Sequence, residues 1–595
     1  MVKKSFLKKL FHPGAKKTTK KTMKKTMKTN SKKPSKRVSR SSKPSRSTHK
    51  KAIHTSAHYT SAHKSARRPA QAHRPARSAH TTAHTSVGMH KGAGKRFSKP
   101  FVLVVVDGMG IRNEKEGNAL AAAKMPFMTK AMERSYAALD AAGTAVGLPQ
   151  GIPGSCETGH ATIAAGRVIP QDLTLINKAI EDGSFFKHPV FLDAIKQLKE
   201  NPDASVHLVG VLSDAGITSH INHLFALIEL GHHHYIPHVY IHAILDGRDS
   251  EVNGAKRYLR QLERQIEKIG WGEIATVVGR SYALDTRNKE RKEHKAYDLM
   301  VMGKGTLIRD PQEAVNLAYR DNLGDEYVKP TIINPNGLIK PGDVVVFFNF
   351  KGDASREFVR SFTKGTFRGF KRKETIPMHM ICVSDHHEPE SKMHCIIAPQ
   401  KTARTLGEVL EQHKKQQVRI APEESFAHVT DFFDFTPKAF PHEHRVLVHE
   451  SGDGDDVKKQ LQGIVASARK EFKKRKDFYL INIPYLQEIS FGGNFSQTVQ
   501  VAGEVDGALA AIAKDVERLK GTLLITSDHG NAEYVKDEFG REVPSNTSNP
   551  VPLIVLAKGV RLEQRGTLAD VAPTLLNMMR INIPKEMTGH SLVRK

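Results

Sequence analysis

Three short stretches carry the residue types best suited to chemistry. Asp107-Gly108-Met109-Gly110 follows an apolar run. Gly154-Ser155-Cys156-Glu157-Thr158-Gly159-His160 precedes the helix-like ATIAAGR, and Ser527-Asp528-His529-Gly530-Asn531 follows a second apolar run. A carboxylate, a nucleophile at a helix start and an Asp-His pair can together ligate a divalent cation and hold a phosphoryl group. The helix N-terminus adds backbone donors and a favourable dipole for an anion. Each stretch alone is a weak signal, because strand-end carboxylates also serve as plain helix caps. In this order they are specific.

The elements that must position these residues are legible as apolar runs: FVLVVVDG (101–108), HLVGVLSD (207–214), VYIHAILDGRD (239–249), VVVFFNFKGD (344–353), FYLINI (478–483) and TLLITSDHG (522–530). Runs that are continuous rather than alternating mark strands buried on both faces. With helical stretches between them they predict an α/β fold built on a largely parallel sheet flanked by helices. In such folds ligands sit at the carboxyl ends of the strands. Asp107, Asp214, Asp246, Asp249 and Asp528 fall there.

From about Phe101 to its C-terminus the chain resembles the cofactor-independent phosphoglycerate mutases of the alkaline phosphatase superfamily. The stretches that carry the resemblance include VVDGMG, EGNAL, PQDLTLINKAIEDGSFF (170–186), SDAGITSHINHLFAL (213–227), VVGRSYALD (277–285), FFNFKGD, TLGEVLEQH (405–413), AHVTDFF (427–433), TSDHGNAE, NPVPLIV (549–555) and PKEMTGHSL (584–592). The resemblance implies an alkaline-phosphatase-like metal-binding domain over residues 99–171 and 399–595. An inserted α/β transferase-type domain over 172–398 would bind the substrate. It also implies a monomeric body and interconversion of 3-phosphoglycerate and 2-phosphoglycerate. In that reaction a metal-activated serine takes the phosphoryl group and two Mn²⁺- or Mg²⁺-type ions stabilise the charge.

Carried over position by position, the implied active site is incomplete. Asp107, Asp528 and His529 match the ligands of one metal site. The serine position holds Cys156, in a register set by Glu157, Gly159 and His160. The other metal site has Gln487 where the family has Asp, and Phe491 and Asn546 where it has His. Phe cannot ligate, and neutral amides are weak ligands. The substrate-binding positions Arg248, Asp249 and Arg280 are kept, and Lys351 stands where the family has Arg. The general acid/base position is Thr218, beside a retained Ser219-His220. Thr286 and Ala354 replace arginines, and Ser425 replaces a phosphate-facing lysine. A Lys does not restore the bidentate clamp of an Arg. The expectation is one divalent ion, with Zn²⁺ favoured if the Cys156 thiolate is a ligand. The second family ion is expected to be lost. Two readings follow. One is a pseudoenzyme with little or no mutase activity that binds a phosphorylated small molecule or serves as a scaffold. The other is an active phosphotransferase that uses Cys156 as nucleophile. The signature Cys-x-Pro-x-Arg of sulfatases is absent.

Charge is distributed unevenly along the 595 residues. The first 100 hold 29 of the 92 Lys and Arg and no Asp or Glu, leaving 63 basic against 62 acidic residues in the rest. Essentially all of the +30 net charge therefore lies in that segment. Residues 1–98 are built of Lys, Arg, Ser, Thr, Ala, His and Pro in short recurring units that resemble linker-histone tails. With few large apolar side chains the segment cannot offset the backbone entropy of folding, about 1–2 kcal/mol per residue, and is expected to be disordered. Its phosphate-neutralising lysines predict salt-sensitive, sequence-independent attachment to DNA, RNA or another polyanion. Base-specific recognition is not expected, because the segment offers no aromatic platform for stacking and holds only one Tyr. The three cysteines, Cys156, Cys382 and Cys395, show no metal-finger or disulfide spacing and suit a reducing compartment. No apolar run approaches the roughly 20 residues needed to cross a bilayer. Met1 to Phe11 is basic but lacks the apolar region of a signal peptide. A cytoplasmic location is expected, with nucleoid association through the tail and an organelle transit peptide as the alternatives.

Overall fold

The computed structural model describes residues 99–284, 293–363, 370, 372, 378–384, 394–398, 402–449 and 456–594. The basic segment 1–98 and Thr286 lie outside the described residues, and Ala354 is described only as part of a helical backbone.

Eight strands position the site: β1 Phe101–Val106, β2 Val206–Leu212, β3 Val239–Leu245, β4 Glu273–Gly279, β5 Val344–Phe347, β6 Gln417–Pro422, β7 Phe478–Ile483 and β8 Thr522–Thr526. All six side chains of β1 are buried, as are those of β3, β5, β7 and β8. This is the outcome that the continuous apolar runs predict. Each fully buried Val, Leu or Ile contributes about 1.5–3 kcal/mol, so a charge at Val104 would break the centre of the core.

Two eight-stranded sheets are present among the described residues. In the first the order is Glu443–Val448, β6, β7, β1, β8, Val551–Leu556, Tyr136–Asp140 and Arg565–Thr567. Its first five strands are mutually parallel, with β1 paired Phe101 to Phe478 on one side and Phe101 to Thr522 on the other. In the second the order is His394–Ile397, His379–Ser384, β5, β2, β3, β4, Thr331–Ile332 and Thr306–Leu307. There the first six strands are parallel. Both sheets therefore present a row of aligned carboxyl ends. Strands of the first sheet come from both flanks of the chain, and all of the second comes from residues between them.

Helices cover the sheets through apolar stripes. In Ala255–Ile269, Tyr258, Leu259 and Leu262 are buried at helical spacing, and Gly270 ends the helix at φ 71°. Two helices matter for chemistry: α1 Cys156–Ala165 and α2 Tyr485–Phe491. Among the described residues no helix is long and apolar enough to cross a membrane.

Candidate functional site at the strand ends

At the carboxyl edge of the first sheet, four adjacent parallel strands each hand over a polar side chain: His428 beyond β6, Gln487 beyond β7, Asp107 beyond β1, and Asp528 with His529 beyond β8. Cys156 comes from a fifth element as the first residue of α1. A reciprocal cap pins that helix start. Ser155 Oγ accepts from Thr158 N, and Thr158 Oγ1 accepts from Ser155 N. Gly159 lets α1 lie against the end of β8, because a Cβ there would stand 2.3 Å from the Asp528 carbonyl oxygen. Gly108 turns the chain at φ +79° directly after Asp107.

Asp107 is fully buried. Its Oδ1 meets His160 Nε2 at 3.0 Å and accepts from Asn482 Nδ2 at 2.6 Å; its Oδ2 meets His428 Nδ1 at 2.7 Å. Burial opposes ionisation, but the His428 and His160 imidazoles outweigh it and hold the carboxyl well below the usual carboxylate range. Burial likewise disfavours protonation of His428, and the facing Asp107 carboxylate reverses that and raises its pKa.

Cys156 Sγ donates to Gln487 Oε1 at 2.7 Å and stands 3.4 Å from His529 Nε2. Burial pushes the thiol well above its ordinary range, and the Asp528 and Asp107 carboxylates push it further. It is a neutral thiol at physiological pH. His529 Nδ1 lies 3.1 Å from the Gly530 carbonyl, which can only accept, so Nδ1 carries the hydrogen and the Nε2 lone pair faces the sulfur. Asp528 Oδ1 accepts from the backbone N–H groups of Gly108 and His529 at 3.1 and 2.9 Å. Its Oδ2 is buried and accepts no hydrogen bond. Donor atoms of Cys156, Asp528 and His529 all lie within 4.8 Å of one another, as do those of Asp107, His160 and Asp528 and those of Asp107, Cys156 and His428.

Of the positions expected to be degenerate, Gln487 and Asn546 both touch the Cys156 segment. Asn546 Nδ2 donates to Gly154 O at 2.8 Å, and its Oδ1 accepts from Asn531 at 3.3 Å. Phe491 lies one helical turn beyond Gln487 and is 40% exposed. Ser425 is buried just before the turn that carries His428, and its hydroxyl has no hydrogen-bond partner.

The carboxyl edge of the second sheet gathers Thr218, Asp246, Asp249 and Arg280. Arg280 is 5% exposed and bonds Asp246 Oδ1 at 2.5 Å and Asp249 Oδ2 at 2.9 Å. Thr218 Oγ1 donates to the same Asp249 oxygen at 2.5 Å. Lys351 comes alongside through its backbone N–H, 3.4 Å from Thr218 O. Arg248 is half-exposed and pairs with Glu326 at 3.0 Å.

Three participants were not assigned a role from sequence: His160, His428 and Asn482. The first two lie inside quoted motifs, where His160 marks the register of Cys156 and His428 belongs to AHVTDFF. Asn482 is the one polar residue of FYLINI, and a lone amide in a doubly buried strand signals a partner at that depth.

Comparison with known proteins gives a consistent result. Residues 176–388 match a family model described as the BPG-independent PGAM N-terminus. The 2,3-bisphosphoglycerate-independent phosphoglycerate mutase of Clostridioides difficile (strain 630) is 36% identical over 512 residues, covering 84% of this chain and 99% of that protein. The enzyme of the same name from Acetivibrio thermocellus is 38% identical over 509 residues, with the same coverage. Among solved structures, Leishmania mexicana phosphoglycerate mutase at low cobalt concentration aligns with a TM-score of 0.72 at 25% identity. That alignment covers 85% of this chain and 99% of that one.

Proposed function

The chain belongs to the 2,3-bisphosphoglycerate-independent phosphoglycerate mutase family, and we propose that within it this protein is a pseudoenzyme. It keeps the scaffold for binding a phosphorylated small molecule and has little or no mutase activity. The observation that carries this reading is the Cys156–Gln487 contact. A neutral thiol occupies the nucleophile position and is hydrogen-bonded to a neutral amide where the family resemblance places a metal-binding carboxylate. Each lost electrostatic contact is worth about 3–4 kcal/mol in the transition state, so a few together remove many decades of rate.

The residues present suit one divalent ion and not two. Asp528 Oδ2 is a buried acceptor without a donor, and His529 Nε2 and Cys156 Sγ face the same space. An ion held there by Cys156, Asp528 and His529 would supply Lewis-acid stabilisation of phosphate charge. At the second position Gln487 and Asn546 are neutral and already bonded within the protein, and Phe491 offers no ligand atom. On this reading 99–171 and 399–595 form the metal-binding domain and 172–398 the substrate-binding domain. The segregation of their strands into two sheets supports that division.

One observation favours the alternative of an active phosphotransferase: His529 Nε2 stands 3.4 Å from Cys156 Sγ with its lone pair toward it, placed to take the thiol proton. The deciding experiment assays conversion of 3-phosphoglycerate to 2-phosphoglycerate by the purified chain with Mn²⁺, Mg²⁺ or Zn²⁺, beside the Clostridioides difficile relative. The expected turnover is at least about ten-thousandfold lower than the relative's. A rate within tenfold would overturn the pseudoenzyme, and loss of that rate on thiol alkylation would establish Cys156 as nucleophile.

The basic segment 1–98 completes the proposal as a polyanion anchor, and a cytoplasmic location goes with it. The full chain should bind two unrelated DNA duplexes alike, losing about a thousandfold in affinity between roughly 50 and 200 mM salt. A chain beginning at Lys99 should not bind. Equal binding by the shorter chain, or preference for one duplex, would refute the anchor.

A further inference from the structure

Two cysteines that show no meaningful spacing along the chain are brought together by the second sheet. Cys382 lies in the strand His379–Ser384 and Cys395 in the strand His394–Ile397. The two strands are parallel neighbours, and their register sets Cys395 directly opposite Cys382. We propose that Cys382 and Cys395 are a modification site, joined in a reversible disulfide when the protein meets a hydroperoxide. Cys395 is the sulfur oxidised first and Cys382 the thiol that resolves it. Neither residue belongs to the candidate site, so this chemistry is independent of whether the first edge is catalytic.

Both sulfurs lie on one face of the sheet. Cys382 is buried among Phe347, Phe358 and Met380, and Cys395 packs against the same cluster. The residues that alternate with them, Ile381, Val383 and Ile396, pack into the core of the opposite face. His379 and His394 share that alternation, and their rings stack 4.7 Å apart. The imidazoles therefore stand away from the thiols, and the four side chains do not converge on one metal ion. Adjacent strands run about 4.8 Å apart, inside the Cα separation of about 4.4–6.8 Å that a disulfide spans. The Cβ atoms must close by roughly 1 Å to reach the usual disulfide separation of about 3.8 Å. His394–Ile397 is the outermost strand of its sheet, with a neighbour on one side only. It can make that shift without disturbing a second ladder.

Cys382 is buried and Cys395 is partly exposed, and both are thiols. A hydroperoxide therefore meets Cys395 first. The Cys395 thiolate attacks a peroxide oxygen: a sulfur–oxygen bond forms, the oxygen–oxygen bond breaks, and the departing hydroxide takes up a proton. The Cys382 sulfur then attacks the sulfenic acid. A sulfur–sulfur bond forms, the sulfur–oxygen bond breaks, and water leaves with the Cys382 proton. With hydrogen peroxide the sum is two thiols and one peroxide giving a disulfide and two waters. A pair of electrons passes from sulfur to oxygen. In a reducing compartment the pair rests as thiols and returns to them by exchange with a dithiol. Cys156, buried and held neutral beside two carboxylates, competes poorly for the oxidant. The closed bond staples the last strand of the second sheet at the point where the chain leaves it for β6 of the first.

The test treats the reduced full-length protein with hydrogen peroxide, quenches with catalase, unfolds it in acid, alkylates it and maps the cysteines by mass spectrometry. The expected product is a link between the peptides holding Cys382 and Cys395, within one chain and reversed by dithiothreitol. Cys156 should be recovered alkylated from the same sample. Cys382→Ser should leave Cys395 as a sulfenic acid that dimedone traps, and Cys395→Ser should leave Cys382 a thiol. In the linked protein, amide hydrogen exchange over residues 394–397 should slow at least about tenfold. Recovery of alkylated Cys382 after Cys395 has been fully oxidised would overturn the proposal. So would a link from either cysteine to Cys156 or to a second chain. Unchanged exchange in the linked protein would overturn the staple. The mapping and the exchange measurement both use the unsubstituted protein, so misfolding of a variant cannot decide the outcome. None of these readouts is mutase turnover, and the disulfide and the pseudoenzyme reading can fail separately.

Discussion

The carboxyl edges of the two sheets are built alike and have been completed differently. At the first, buried polar groups are left with open valences: Asp528 Oδ2 and His160 Nδ1 have no hydrogen-bond partner. The second also has a buried oxygen without a partner, Asp246 Oδ2, but there the guanidinium that would meet an anion is closed in by Asp246 and Asp249, and Thr218 adds its hydroxyl to the same Asp249 oxygen. An open buried valence is tolerable if an ion or ligand fills it. A guanidinium already paired with two carboxylates has little left to offer a phosphate. The first edge therefore reads as a place for a cation. The second spends its guanidinium on ion pairs within the protein.

The largest test of this difference rebuilds the first edge alone. The fourfold variant Cys156→Ser, Gln487→Asp, Phe491→His and Asn546→His restores the family's residue types there. With Mn²⁺ it should raise hydrolysis of a simple aryl phosphate by at least about a hundredfold. It should leave 3-phosphoglycerate isomerisation undetectable, because the second edge stays closed. Recovery of isomerisation would show that the Arg280 cluster does not limit the reaction.

Next in size is the effect of opening the second edge. Arg280→Ala leaves Asp246 and Asp249 facing each other in a buried place, and should cost about 3–5 kcal/mol in urea unfolding. A cost below about 1 kcal/mol would mean that the pair is solvated and the clamp is not closed.

At the first edge, the raised pKa of Cys156 sets a pH dependence. The folded state favours the neutral thiol, so that contribution to stability is complete below the unfolded thiol's pKa of about 8.5. It is lost as pH rises through the higher folded value. In metal-free protein, iodoacetamide should modify Cys156 at least about tenfold more slowly at pH 7.5 than a free thiol does, and faster as pH rises. Rapid modification at neutral pH would contradict a thiol held neutral by burial and two carboxylates.

The smallest effect is expected at the open valence itself. In metal-free protein Asp528→Asn keeps the Oδ1 acceptor for Gly108 and His529 and removes an unpartnered oxygen, so the change should stay under about 1 kcal/mol. The same substitution should abolish the Zn²⁺-induced rise in melting temperature. A large destabilisation without metal would show that Oδ2 already has a partner.

Much of the framework is readable from the chain alone, for a definite reason. Six buried strands announce themselves because a strand covered on both faces must be apolar throughout, and the polar residue that ends each one must then lie at the sheet edge. β6 escaped that rule. Its run Gln417–Pro422 contains Arg419, which is fully buried only because Asp434, fifteen positions later, pairs with it at 3.0 Å. Local pattern cannot foresee a partner supplied by another element.

The same limit governs the site. The sequence by itself determined the residue types at the strand ends and the family to which these patterns point, and it raised the expectations that Cys156 takes the nucleophile position and that three metal-ligand positions are lost. Tertiary structure alone decided which of them meet. Asp107 finds His428 321 positions away and Asn482 375 positions away, and Cys156 finds His529 373 positions away. It also decided that Arg280 is spent on two carboxylates while Asp528 keeps an oxygen unclaimed. Spacing along a chain specifies neighbours within a helix or strand. Whether a buried charge is already neutralised depends on distances between strand ends that only the packed sheets establish.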